Sequence, residues 1–174
     1  MYAIVVGTNR SDSKSQELAH YYSALLKDQD VESEIVNLKD LPVDFTHSAL
    51  YGNNGKNPHF NVLRDIPDRA EKVIFIIAEY NGSYPGILKC FIDGFAYPNP
   101  LKNKKAALVG ISSGNLGASL ALSHFTDVLN YLGCHVHAIK PRLFPISEQL
   151  QDGEILDDLM RLVVQEQVAE FVKF

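Results

Sequence analysis

The sequence predicts an α/β fold built on a parallel sheet with helices on both faces. Three observations carry that expectation. Short apolar runs alternate with longer amphipathic stretches along the chain, the pattern of successive strand–helix units in one sheet. Val73-Ile74-Phe75-Ile76-Ile77 is a continuous, mostly β-branched run. Such a run suits a strand buried on both faces, not one alternating between core and water. The length of 174 residues fits one domain and is enough to bury a sizeable core.

The elements follow in order. Residues 3–6 are apolar and stop at Gly7, giving a first strand. Leu18, Ala19, Tyr22, Leu25 and Leu26 recur at helical spacing, so a helix is expected over 13–27. A second strand is expected over 34–38, ended by Lys39-Asp40 and Pro42. A polar stretch rich in Asn, Gly and His covers 44–58 and reads as a long loop, of the kind that often forms a lid. The third strand is 73–77. The next helix, over 85–95, places Pro85 in its first turn, where a missing N–H costs least. The fourth strand is 106–111. A helix over 116–132 is closed by Gly133. A fifth strand over 135–139 and an amphipathic helix over 152–174 complete the chain. The resulting order, βαβ(loop)βαβαβα, fits a flavodoxin-like three-layer sandwich with a five-stranded parallel sheet in the order 2-1-3-4-5, as one domain over 1–174.

Composition narrows the function. There are 16 Lys+Arg against 21 Asp+Glu, a formal net charge of −5, which argues against a nucleic-acid partner that needs a basic face. Cys90 and Cys134 are the only cysteines, which excludes a disulfide scaffold and a four-cysteine zinc site. His135 and His137 alternate on one strand without an evident third ligand, so no metal site is expected. No stretch reaches the roughly 18 uninterrupted apolar residues of a membrane span, and a cytoplasmic location is expected.

In a doubly wound sheet, ligands bind at the carboxyl ends of the strands. Three loops stand there. The first, Gly7-Thr8-Asn9-Arg10-Ser11-Asp12-Ser13-Lys14-Ser15, sets hydroxyls and an arginine before a helix N-terminus. Free N–H groups and the helix dipole favour an anion, hydroxyls add donors, and Arg10 adds a charged fork matched to phosphate. Neither the Walker A pattern nor Gly-x-Gly-x-x-Gly is present; a turn that only caps the helix is the simpler alternative. The second, Ala78-Glu79-Tyr80-Asn81-Gly82-Ser83-Tyr84-Pro85-Gly86, offers two rings and two glycines that let a flat ligand approach the backbone. Turn chemistry alone also explains its Gly and Pro. The third, Ser112-Ser113-Gly114-Asn115-Leu116-Gly117, is small enough to leave room for a planar group. Together they suit a mononucleotide with a planar ring.

The first two loops resemble signatures of the NADPH-dependent FMN reductase family, whose members include quinone, azo-dye and chromate reductases. The family's Gly-Ser-x-Arg-x-x-Ser-x-Asn-x-x-Leu-Ala is matched by residues 7–19, with Thr8 in place of Ser and Ser15 in place of Asn. Its Pro-Glu-Tyr-Asn-x-Ser-x-Pro-Gly-x-Leu-Lys-Asn-x-Ile-Asp is matched by residues 78–93, with Ala78 in place of Pro and Cys90 in place of Asn. The resemblance implies that Thr8, Arg10, Ser13 and Ser15 hold the FMN phosphate. It implies that Glu79, Tyr80, Asn81, Gly82 and Ser83 pack against the isoalloxazine ring, and that Ser112, Ser113 and Gly114 form the third flavin contact. NADPH or NADH would be the hydride donor and a small molecule such as a quinone, azo compound, metal ion or free flavin the acceptor. A homodimer or tetramer is implied, with contacts through the helices over 85–95 and 116–132. The family's Trp-x-Ser-Arg after Ile-Asp is absent; Gly94-Phe95-Ala96-Tyr97 stands there.

Flavin chemistry needs no side-chain nucleophile, and the sequence offers no catalytic dyad or triad. Three rival readings share the fold. A flavodoxin-type electron carrier would have no substrate of its own, and Arg10 speaks against it. A flavin-binding interaction protein would bind the cofactor weakly. A phosphorylation receiver needs an acidic pair after the first strand, which Gly7-Thr8-Asn9-Arg10 does not supply.

Overall fold

The computed structural model describes residues Met1–Phe174. Strands β1 (Tyr2–Val6), β2 (Ser33–Asn37), β3 (Lys72–Ala78) and β4 (Lys105–Ile111) alternate with α1 (Lys14–Lys27), α2 (Phe45–Ser48), α3 (Pro58–Arg69), α4 (Gly86–Asp93) and α5 (Ser119–Tyr131). Beyond α5 come β5 (His135–Val136), β6 (Arg142–Leu143), α6 (Ile146–Gln149), the strand pair β7 (Leu150–Gln151) and β8 (Glu154–Ile155), and α7 (Asp158–Lys173). The sheet order is β2-β1-β3-β4-β5, with β6 also paired to β4, and every pairing within this sheet is parallel. This is the expected doubly wound sheet.

Alternation along the strands divides the core in two. Ala3, Val5, Val73, Phe75, Ile77 and Leu108 face Phe60, Phe91 and Phe125 of α3, α4 and α5. Tyr2, Ile4, Val6, Ile74, Ile76 and Val109 face Leu18 and Tyr22 of α1 and Val164 and Phe171 of α7. β3 is buried at all seven positions, as its unbroken apolar run requires.

Three expectations need correction. The stretch over 44–58 is not an open loop. It holds α2 and a 3-10 turn at Tyr51–Asn53, and Phe45, Ala49 and Leu50 are buried. Asn54 ties it down, donating through Nδ2 to the carbonyls of Gly94 (3.1 Å) and Phe95 (2.9 Å) and accepting from Arg64 (2.9 Å). α3 then fills the crossover to β3, an element obscured in sequence by Pro58 and Pro67. Pro58 stands in the first turn, where no N–H is needed, and Asn57 caps the helix through the Phe60 N–H (3.0 Å).

The fifth strand is not continuous. β5 pairs with Lys105 and Ala106, and β6 with Gly110 and Ile111. Pro141, just before β6, brings no N–H to a ladder and restricts Lys140 before it. The break is bridged from α7. Gln167, fully buried, donates through Nε2 to the carbonyls of Leu108 and Ile139, both at 2.8 Å, and its Oε1 accepts from the Tyr22 hydroxyl at 2.6 Å.

The last helix starts six residues later than the periodicity implies. Asp152 (φ 49°) and Gly153 (φ 82°) form the left-handed two-residue turn that joins β7 to β8. Asp157 caps α7 by accepting from the Met160 N–H at 2.7 Å.

The two cysteines differ in burial: Cys90 is partly buried, whereas Cys134 is buried. Burial pushes the Cys134 thiol from 9.0 up to about 12. Because the thiolate is the reactive form, an alkylating reagent at pH 8 is expected to label Cys90 first and Cys134 only after unfolding, read by mass spectrometry. The stability that comes with keeping this thiol neutral is full below pH 9 and is lost as pH rises toward 12.

Candidate functional site

The first loop is shaped by close approach. Gly7 donates its N–H to the Ile76 carbonyl (2.9 Å), and a Cβ there would lie 2.7 Å from that same oxygen. The chain then turns across the end of β3. Thr8 is buried, and its Oγ1 lies 2.7 Å from the Tyr80 hydroxyl and accepts from the Arg10 N–H at 3.3 Å. Tyr80 thereby props the first loop from the second. Asp12, at φ 49°, makes the left-handed turn, and Ser13 caps α1 through the Gln16 N–H (3.3 Å).

Ser15 carries an unexplained polar atom. Its Oγ is buried with no hydrogen-bond partner. The backbone N–H groups of Lys14 and Ser15, in the first turn of α1, also bond no acceptor in the chain. A buried hydroxyl without a partner costs roughly 1–3 kcal/mol, so an acceptor at this spot removes a penalty and meets the positive end of the helix.

The second and third loops are clamped together. The Glu79 N–H donates to the Ile111 carbonyl (2.9 Å), and the Glu79 carboxylate accepts from the Ala118 N–H at 2.7 Å. Gly117 and Ala118, both at φ 59°, turn the third loop into that contact. A Cβ on Gly117 would fall 2.4 Å from the Phe144 ring. Tyr80 and Ser83 exchange backbone hydrogen bonds (2.8 and 3.1 Å) around Asn81 (φ 52°) and Gly82 (φ 72°), a two-residue turn with both central residues left-handed. The N–H groups of Asn81 and Gly82 remain free.

Between the three loops lies a cleft of about 260 Å³. It gathers Thr8, Arg10, Ser13 and Ser15, with Glu79, Tyr80, Ser112 and Ser113 opposite. Asn81, Gly82, Ser83 and Gly114 are not in its wall. Asp12, Lys14, Ala78, Ile111 and Ile146 are, and the sequence reading did not single them out. Lys14 was legible, since it opens α1, but it is paired with Glu17 at 2.7 Å. Ile146 arrives from beyond β6 and had no local signal. A wider depression of about 720 Å³ lies at Met1, Ser33 and Arg69. That is the amino end of the strands, away from where this fold binds ligands, and Arg69 there is paired with Glu34.

Glu79 acts as a link between loops more than as a free wall residue. Glu79→Ala is therefore expected to release the third loop and weaken cofactor binding several-fold, measured by flavin fluorescence titration. An unchanged affinity would remove Glu79 from the site.

The model of the NADPH-dependent FMN reductase family matches residues 2–149. This chain belongs to that family. Among its relatives, a 2-hydroxy-1,4-benzoquinone reductase from Burkholderia sp is 32% identical over 133 residues, covering 75% of this chain and 70% of the relative. An FMN-dependent NADPH-azoreductase from Staphylococcus aureus is 30% identical over 136 residues, covering 74% and 69%. Among solved structures, the flavoenzyme NAD(P)H:(acceptor) oxidoreductase FerB from Paracoccus denitrificans superposes with a TM-score of 0.79 at 28% identity, covering 99% of this chain and 94% of that one. For members of the NADPH-dependent FMN reductase family, FMN and NAD(P)H are the cofactors, and the three loops fit a flavin mononucleotide. The phosphate suits the orphaned Ser15 hydroxyl and the free N–H groups of Lys14 and Ser15. The free N–H groups of Asn81 and Gly82 suit the polar edge of the flat ring. No helix of this member is long and apolar enough to cross a membrane.

Proposed function

We propose that this protein is an FMN-dependent NAD(P)H oxidoreductase that reduces small aromatic acceptors of the quinone and azo type. The observation that carries the reading is the phosphate cradle, where a buried, unpartnered Ser15 hydroxyl meets two unpartnered N–H groups in a cleft that Arg10 also lines. Thr8, Arg10, Ser13 and Ser15 would hold the phosphate. Glu79, Tyr80, Asn81, Gly82 and Ser83, with Ser112, Ser113 and Gly114, would border the ring. When bound, FMN supplies the hydride acceptor and the electron relay. The chain's own residues bind and orient it: Tyr80 props the phosphate loop, and Glu79 fixes the distance between the other two.

Relatives named as quinone and azo reductases support the acceptor class. We extend the reading to a single FMN-binding domain over 1–174, a cytoplasmic location, and a homodimer or tetramer. Steady-state NADPH and NADH oxidation with quinone, azo, ferric and free-FMN acceptors tests it. Turnover with a quinone or azo dye is expected. FMN binding without turnover on any acceptor would favour the electron-carrier reading instead.

A further inference from the structure

Where α5 meets the second loop, its first two turns present an exposed strip. Leu120 is 47% exposed, and Leu116, just before the helix, is 59% exposed. Leu120 lies against the bare face of the second loop: a Cβ on Gly82 would stand 3.9 Å from Leu120 Cδ1. One turn further along α5, exposed His124 places Nδ1 3.0 Å from Ser83 Oγ. That contact consumes one ring nitrogen and fixes the ring against the turn. Nε2 has no partner in the chain.

We propose that His124 is a specificity-determining residue of the acceptor site, its Nε2 hydrogen-bonding an oxygen of a quinone that lies against Leu120 beside Gly82. The chemistry of the three groups selects this occupant. Leucine side chains next to a glycine make a flat apolar shelf, which suits an aromatic ring. The Ser83 hydroxyl can either donate to Nδ1 or accept from it. Nε2 is then correspondingly a donor, matched to a quinone carbonyl, or an acceptor, matched to the hydroxyl of the reduced product. An acceptor without a ring or a carbonyl gains nothing from the shelf. The inference rests on the oxidoreductase reading above and adds where the acceptor sits and what it must carry.

The test compares 1,4-benzoquinone with ferricyanide, an acceptor with neither ring nor carbonyl, on the FMN-loaded protein. For His124→Ala, the ratio of kcat/KM for benzoquinone to that for ferricyanide is expected to fall about tenfold, carried by KM for the quinone, as loss of one hydrogen bond of about 1.4 kcal/mol implies. His124→Gln, which keeps a hydrogen-bonding amide, is expected to recover part of the loss, and Leu120→Asp to lower the ratio as well. A ratio within twofold of the unaltered protein in His124→Ala overturns this inference alone. So does a rise in KM for NADPH in place of the quinone. An unaltered protein that reduces neither acceptor overturns the underlying reading and this inference with it.

Discussion

Replacing Arg10 with alanine is expected to weaken FMN binding by roughly 10–100-fold, equivalent to ~1.5–3 kcal/mol for a hydrogen bond to a charged group. Arg10 is exposed, and it reaches the cleft from the loop whose hydroxyls and free N–H groups converge near Ser15. A dianionic phosphate bound there is in part desolvated, so a guanidinium fork is worth more than in open water. Arg10→Lys keeps the charge but loses the two-pronged geometry, and is expected to fall between the two. Fluorescence titration of FMN, with circular dichroism to verify folding, checks both. The loss is expected to shrink at high salt, because part of it is electrostatic. Ser15→Ala is a complementary probe. It removes a buried hydroxyl with no partner in the chain, so the protein without FMN is expected to be as stable or slightly more stable, while FMN affinity falls.

The largest effect on stability is expected away from the cleft, at Gln167. Gln167→Ala strips partners from the Leu108 and Ile139 carbonyls and from the Tyr22 hydroxyl, and leaves a void. An unsatisfied buried group costs ~1–3 kcal/mol, so about 4 kcal/mol is expected for the set, measured by denaturant unfolding. Tyr22→Phe removes only one member and leaves the Gln167 Oε1 unmet, so about 1 kcal/mol is expected. The two substitutions are expected to be non-additive, because they share one network. Since β4 ends in the third loop, Gln167→Ala is also expected to loosen FMN binding to a lesser degree than Arg10→Ala. The reverse ranking would mean that the sheet edge, not the phosphate loop, dominates the site.

Much of this fold is legible from pattern because its strands are buried on both faces. The run at residues 73–77 is apolar without interruption, so β3 is unmistakable, and its neighbours follow from the spacing of glycine and helical periodicity. What escapes the pattern is long-range or proline-marked. α3 carries Pro58 and Pro67, which argue locally against a helix, yet Pro58 sits where no N–H is needed and Asn57 caps the turn. The split between β5 and β6 depends on Gln167, which lies 28 residues beyond Ile139, and no local signal announces that a side chain completes the ladder. The hairpin before α7 was readable in Asp152-Gly153, but acidic residues on both sides of it mimic a helix start.

The site is legible to a similar depth. Thr8, Arg10, Ser13 and Ser15 stand together because one loop carries them, and Glu79, Tyr80, Ser112 and Ser113 meet them because all three loops leave the same end of the sheet. Side-chain duties are less readable. Glu79 and Tyr80 resemble ring contacts in sequence, yet their polar atoms bond to Ala118 and Thr8. Asn81 and Gly82 are set by the turn they form, which leaves their free N–H groups as their contribution. The Ser83–His124 contact joins residues 41 apart, a pairing that periodicity does not encode.

The central claim, that these loops form an FMN site able to accept hydride, is tested most directly by an anaerobic titration of the purified protein. FMN is added to saturation, free flavin is removed, and NADPH is added while the absorption of the bound flavin is followed. Equimolar FMN is expected, retained by the unaltered protein and lost from Arg10→Ala, with bleaching of the flavin band on addition of NADPH. A protein that retains no FMN, or whose bound flavin keeps its absorption in excess NADPH and NADH, would contradict it.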